Sequence, residues 1–294
     1  MSGERSAATP PYKLTNADRL EQPDGARAPA PSWRPTPTIT LSFVVHGAAV
    51  ALAAVAPPLW PWALGAVAAN HLFLSCAGVW PGSNLLGPNL VRLPAAAVAR
   101  RELALTFDDG PDPEVTPRVL DLLDAAGARA SFFCIGRRAR EHPALVREIV
   151  ARGHRVENHG DKHSKAFGTY GYTRMRADIA AAQATLADLT GQSPRFFRPL
   201  AGVRSPILDP VLARLDLRLA CWTRRGFDTV RGDPERVYQR LVRGLTPGDI
   251  LLLHDGHVAR TRGGEPVSLA VLPRLLASMR DAEVRSVTLV EAVS

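Results

Sequence analysis

The residues most suited to chemistry in this chain are two adjacent carboxylates at the end of an apolar run. In "LALTFDDGPD" (103–112), Asp108 and Asp109 lead straight into Gly110 and Pro111. Asp and Gly are ordinary in a strand-ending turn, so the pair by itself carries no function. Farther on, "HGDKH" sets His159 and His163 four residues apart, the spacing that places two imidazoles on one face of a helical turn. One carboxylate with two imidazoles makes a facial set that a divalent ion such as Zn2+ accepts while keeping open positions. Only one aspartate of the pair is needed as a ligand. Its neighbour would then stand beside activated water and could serve as general base.

Three more polar residues follow apolar runs. Arg198 in "FFRPLAG" could orient the base carboxylate and hold it ionised. His254 in "LLLHDG" suits a general acid, provided an anion keeps it protonated, and Asp228 in "RRGFDT" could be that anion. Singly, each has an ordinary explanation as a surface arginine or a buried structural histidine. Their shared position at strand ends gives them weight.

The elements that must carry these groups alternate. Strands are expected at 103–107, 130–136, 154–159, 195–199, 217–223, 249–255 and 285–289, and helices at 116–126, 143–153, 173–189, 206–214, 234–243 and 267–279. Such alternation predicts parallel strands with crossover helices, as an open doubly wound sheet or a closed barrel. No glycine-rich nucleotide loop follows any strand. In a barrel the chemistry gathers at the carboxyl ends of strands, where Asp108, Asp109, His159, Arg198, Asp228 and His254 fall.

The net charge of +8 does not signal nucleic acid: lysine occurs only at 13, 162 and 165, arginines are scattered, and no basic cluster interleaves with aromatics. Cys76, Cys134 and Cys221 are too far apart for a disulfide framework, and the last two sit in apolar runs as small buried hydrophobes. Residues 1–37, rich in Pro, Ala and charge without periodicity, read as a disordered tail. Between Arg34 and Arg92 there is no charged residue, and 38–56 and 62–80 are each long enough to cross a bilayer, joined by "PPLWPW" at an interface. His46 and His71 could be polar contacts between the two spans, though such residues are more often simply tolerated there. A cleaved signal peptide fits poorly, because the apolar run starts late and Pro57 follows "AVA". Arg27 and Arg34 before the hairpin, with Arg92, Arg100 and Arg101 after it, place both ends in the cytoplasm. The expected organisation is a tail (1–37), a transmembrane hairpin (38–80), a linker (81–101) and a catalytic domain (102–294).

Taken together, "TFDDGPDP", "NHGDKH", "FRPLAG", "WTRRGFD" and "ILLLHDG" resemble, in order and rough spacing, the five motifs of the polysaccharide deacetylases, carbohydrate esterase family four. The likeness covers about 103–257. It implies a distorted (β/α)7-type barrel and metal-dependent removal of N-acetyl or other N-acyl groups from an amino sugar, in a glycan or a lipid-linked saccharide. Position by position it implies Asp108 as base, Asp109, His159 and His163 as metal ligands, and Arg198 orienting Asp108. The Ala201 amide would hold the oxyanion, His254 would be the acid with Asp228 as partner, and Leu251 or Leu253 would line the acetyl pocket. Departures bear on specificity: Gly160 stands where Ser or Thr is usual, Ala201 where an aromatic is common, and Arg225 and Thr229 where Asp and Trp are frequent. The competing readings are a catalytically silent glycan- or lipid-binding membrane protein and a hydrolase of non-sugar linear amides.

Overall fold

The computed structural model describes residues 33–294, so most of the expected tail, with Arg27, lies outside the described residues. Two apolar helices come first: α1 (Pro37–Val55) and α2 (Trp60–Val79), joined by a short turn at Pro57–Leu59. Thr36 caps α1, its hydroxyl accepting the Ile39 amide at 3.3 Å. Mean hydropathy is 1.9 and 1.4 over the two segments, and each is long enough to cross a membrane. Leu41, Phe43, Val44, Leu64, Leu72 and Phe73 are exposed on their outer surface. Polar groups turn inward instead, with Asn70 donating to the Ser42 hydroxyl (2.8 Å) and His46 Nε2 lying 3.2 Å from His71 Nε2. Of the two readings of these histidines, the structure shows the contact.

After a short helix α3 (Ala95–Ala99) the chain enters a parallel sheet. Strand β1 (Glu102–Asp108) runs between β2 (Ala130–Cys134) and β7 (Ile250–His254). Outward from β2 come β3 (Arg155–Asn158), β4 (Phe196–Phe197) and β5 (Arg218–Leu219). β6 (Arg224–Arg225) flanks β7, and β8 (Arg285–Ser286) pairs with the start of β1. The crossovers are α4 (Thr116–Ala125), α5 (Gly136–Glu141), α6 (Pro143–Ala151), α7 (Tyr172–Thr190), α8 (Leu208–Arg214), α9 (Pro234–Val242) and α10 (Val267–Asp281), with α11 (Leu289–Ala292) last.

Strand alternation separates two apolar layers. Leu103, Leu105 and Phe107 of β1 pack outward among Val119, Leu123, Leu272 and Leu275 of the helices. Ala104 faces the interior with Phe133, Phe196, Ala220 and Ile250. Each fully buried Leu or Phe contributes roughly 1.5–3 kcal/mol relative to exposure. Register pairs Asp108 with His254, so the two motifs end level with one another.

β5 and β6, the ends of the strand order, do not pair, which is the distortion of the barrel. The gap is filled by residues expected as a linker. Leu90 bridges to Ala220, Arg92 bridges to Asp249, and Leu93 and Ala97 are buried in the interior cluster. Buried Asp249 takes Arg92 at 2.8 Å and Arg224 at 2.5 Å. The stretch 81–101 is thus built into the barrel, held by a charge pairing that no linear pattern displays.

Candidate active site

A regular strand would send Asp108 and Asp109 to opposite faces. Asp109 instead has φ of +74°, a left-handed conformation that Asp tolerates better than most residues. That single reversal lets both adjacent carboxylates serve the same mouth.

Asp108 is buried, and its Oδ1 accepts a hydrogen bond from Arg198 Nη1 at 2.7 Å. The guanidinium is wholly buried. It also donates to the Thr106 hydroxyl and to the carbonyls of Ala220 and Cys221, and its Cζ lies 4.0 Å from the centre of the Phe133 ring. A charge so deep is tolerated because its donors are spoken for and an opposite charge is in contact. Asp108 Oδ2 is left 4.0 Å from His159 Nε2.

Asp109 Oδ1 lies 3.2 Å from His159 Nε2 and 2.8 Å from His163 Nε2. These donor atoms all fall within 4.8 Å of one another. His159 Nδ1 is 2.7 Å from the Arg198 carbonyl oxygen and must donate to it, which leaves the Nε2 lone pair pointing at the cluster. Asp109 Oδ1 and His163 Nε2 are buried yet closed into no hydrogen bond. Orphaned donor atoms facing a common point suit ligation of one cation, whose ligands at about 2.0–2.2 Å would stand about 3 Å apart. Burial works against ionisation of Asp109, but the imidazoles of His159, His163 and His257 outweigh it and hold the carboxyl far below its ordinary range. Burial likewise opposes charge on His159, and Asp108 and Asp109 reverse the sign and raise its pKa.

The two histidines do not meet on a helical turn as their spacing suggested. Residues 159–163 form an irregular loop, with φ of +78° at Gly160 and +50° at His163, and the rings stand 5.1 Å apart. Asp178 of α7 accepts the Asp161 amide at 3.1 Å and so fastens the loop. A Cβ on residue 160 would lie 2.9 Å from Asp178 Oδ2, which gives the unusual glycine a local reason.

On the other flank His254 Nδ1 lies 2.7 Å from Asp228 Oδ1, while Asp228 Oδ2 accepts the His254 amide at 2.7 Å. Burial would lower the His254 pKa, but the Asp228 carboxylate prevails and pushes it up to about 9. Ala201 sits in the short turn Leu200–Gly202 directly after Arg198 and Pro199, exposed, with φ of +53°.

Leu251 and Leu253 do not line this mouth. Both pack outward among Val237, Leu241 and Leu272, because alternation on β7 sends 251 and 253 to the helices and 250, 252 and 254 inward. Leu252, buried, is on the same side of β7 as His254 by that alternation.

Several groups escaped the sequence reading. His257 lies 3.4 Å from Asp109 Oδ2 and stacks on His163, and Arg138 donates to the Asp109 carbonyl at 2.9 Å. Buried Asp255 accepts the Thr116 hydroxyl at 2.6 Å; burial pushes its carboxyl up to about 7. The only signal for His257 and Asp255 was their place in "HDGH" immediately after a strand.

The profile of the polysaccharide deacetylase family matches residues 95–220. A peptidoglycan-N-acetylglucosamine deacetylase of Bacillus cereus is 31% identical over 191 residues, covering 64% of this chain and 86% of the relative. The chain belongs to the polysaccharide deacetylases, carbohydrate esterase family four. It is accordingly a hydrolase of carbon–nitrogen bonds other than peptide bonds. A chitooligosaccharide deacetylase of Azorhizobium caulinodans is 34% identical, with 57% of this chain and 83% of the relative covered. Among solved structures, the family-four carbohydrate esterase from Streptomyces lividans in complex with acetate superposes with a TM-score of 0.57 at 30% identity, over 63% of this chain and 91% of that one. The parallel, incompletely closed barrel is the fold of this deacetylase family.

Proposed function

We propose that this polysaccharide deacetylase is a metal-dependent N-deacetylase of an amino sugar, held at a membrane by the α1–α2 hairpin with its barrel on the cytoplasmic side. The observation that carries the chemistry is the meeting of two charge pairs, Asp108–Arg198 and Asp228–His254, around the Asp109–His159–His163 cluster. The relatives named for N-acetylglucosamine and chitooligosaccharide supply the sugar. The membrane setting is supported by the two apolar helices, and the side by Arg34 before them and Arg92, Arg100 and Arg101 after.

Asp109, His159 and His163 would hold the ion, Zn2+ being the first choice for a two-imidazole, one-carboxylate set; when bound, it supplies Lewis acidity and eases deprotonation of water. Asp108 Oδ2, the oxygen Arg198 leaves free, takes a proton from water as the water oxygen bonds to the acyl carbon. The Ala201 N–H would donate to the carbonyl oxygen as it becomes an oxyanion. His254, protonated through Asp228, gives its Nε2 proton to the amine nitrogen as the C–N bond breaks, releasing acetate and the free amine. Leu252 offers the apolar wall for the acetyl methyl.

The test is metal content together with turnover of acetylated chitooligosaccharides and of a simple linear amide. Asp108→Asn is expected to keep the metal and lose turnover by about 10²–10⁴-fold, whereas His163→Ala is expected to lose the metal. A fully active Asp108→Asn protein refutes the assignment, and turnover of the linear amide alone refutes the sugar.

A further inference from the structure

The hairpin is fastened to the rim of the barrel mouth. The Gly78 carbonyl, one residue before α2 ends, accepts the Arg204 amide at 2.9 Å. The contact is so close that a Cβ on Gly78 would stand 2.2 Å from the Arg204 carbonyl oxygen. Arg204 Nη2 donates to the Ser83 carbonyl at 2.6 Å, and at the other end of the hairpin Trp33 Nε1 donates to Asp209 at 2.7 Å. Gly202 is wedged between Pro81 and the Trp222 ring. That ring in turn lies 5.7 Å from the Arg198 guanidinium that holds Asp108. From the end of α2 to the base carboxylate a path thus runs through Pro81, Gly202, Trp222 and Arg198.

The rim beside this junction has the composition of a membrane-contacting surface. Between Lys162 and Arg176 there are four basic residues and no acidic one, including two of the chain's three lysines. Lys162, Lys165, Arg174 and Arg176 are all exposed. Among the described residues these four close no ion pair, whereas Arg118, Arg152, Arg260 and Arg274 elsewhere are engaged by carboxylates. Arg174 even stands in the first turn of α7, where the helix dipole disfavours a cation. Gly168 of the same loop packs against Val203, next to the docked helix end. Over residues 81–294 the exposed large apolar side chains are Leu85, at the junction, Tyr172, the first residue of α7, and Val230, on the loop between β6 and α9. Arg174 lies over the Tyr170 ring at 3.8 Å. Aromatic and apolar tips set among cations that close no ion pair are what the headgroup layer of an anionic membrane attracts.

We propose that the substrate is an amino sugar carried on a lipid in the same bilayer as the hairpin, taken from the headgroup layer by a mouth that lies against that layer. This rests on the reading that the hairpin inserts and that the site deacetylates. Tethering enzyme and substrate to one surface replaces a search in three dimensions by one in two, and effective concentrations of this kind raise rates by about 10²–10⁴-fold without a new contact.

The experiment uses the full chain, metal-loaded, in vesicles of phosphatidylcholine and phosphatidylglycerol. The probes are N,N'-diacetylchitobiose free in solution and the same disaccharide spaced from a dialkylglycerol in the membrane, with amine release as readout. Faster turnover of the anchored probe by about a hundredfold or more, lost when protein and probe occupy separate vesicles, supports the proposal. Equal turnover of the two probes overturns it while leaving the deacetylase reading intact. Turnover of neither probe overturns that reading and this inference with it. A readout independent of activity is quenching of a dye at Tyr172→Cys by headgroup-spin-labelled lipid, in a Cys76→Ser background, with Arg280→Cys at the opposite end of the barrel as reference. Strong quenching at 172 and weak quenching at 280 are expected; equal quenching at the two positions sinks the proposal.

Discussion

Replacing Asp228 by Asn tests the electrostatic core of the site, because it keeps the shape and removes the charge. In the native arrangement Asp228 pushes His254 up to about 9 against the lowering effect of burial. Without that carboxylate, burial is opposed only by Asp108 and Asp109, and His254 falls back toward its ordinary value of about 6.5. A separation of about 2.5 pH units is about 3 kcal/mol of differential stabilisation of the imidazolium. At pH 7.5 His254 goes from nearly fully protonated to about a tenth, and at pH 8.5 the loss approaches a hundredfold. The kcat/KM profile of the metal-loaded protein should therefore keep its acid limb while its alkaline limb moves down by about 2 units or more. Stability follows the same sign. A pKa raised on folding contributes fully below the unfolded value, about 6.5, and its contribution disappears as pH climbs through about 9. Urea titrations at pH 6 and pH 9.5 should thus differ more for the native chain than for Asp228→Asn. An alkaline limb that stays in place would refute the role of the pair.

Two other outcomes follow from packing. Arg198→Met leaves Asp108 buried without its partner and strips the donor from three further acceptors, so unfolding free energy should drop by about 3–5 kcal/mol in urea titrations. Leu251→Ala and Leu252→Ala should separate cleanly: the first costs about 2–5 kcal/mol of stability with little change in preference between acetyl and propionyl substrates, while the second shifts that preference toward the larger acyl group.

Much of this protein was written in local patterns. The alternation of apolar runs with helical spacing gave parallel strands with crossover helices, the five motifs pointed to a barrel rather than an open sheet, and the uncharged window from 35 to 91 gave two helices within about two residues of their actual ends. Asp108, Asp109, His159, His163, Arg198, Asp228 and His254 were recognisable because each ends or follows a strand, and strand ends of parallel sheets share one face. Tertiary structure decided what depends on faces and on partners distant in sequence. Spacing alone could not show that β7 sends Leu251 and Leu253 to the outer helices, leaving Leu252 on the His254 side. That follows from which layer each strand face meets. Nor could it show that His159 and His163 meet across an irregular loop tied down by Asp178, since the tie comes from another helix. The segment 81–101 read as a linker because its holding groups, Asp249 and Ala220, lie far along the chain. Linear patterns report periodicity and local conformation; side-chain direction at a loop and the closing of a gap are set by contacts between segments that only the folded chain brings together.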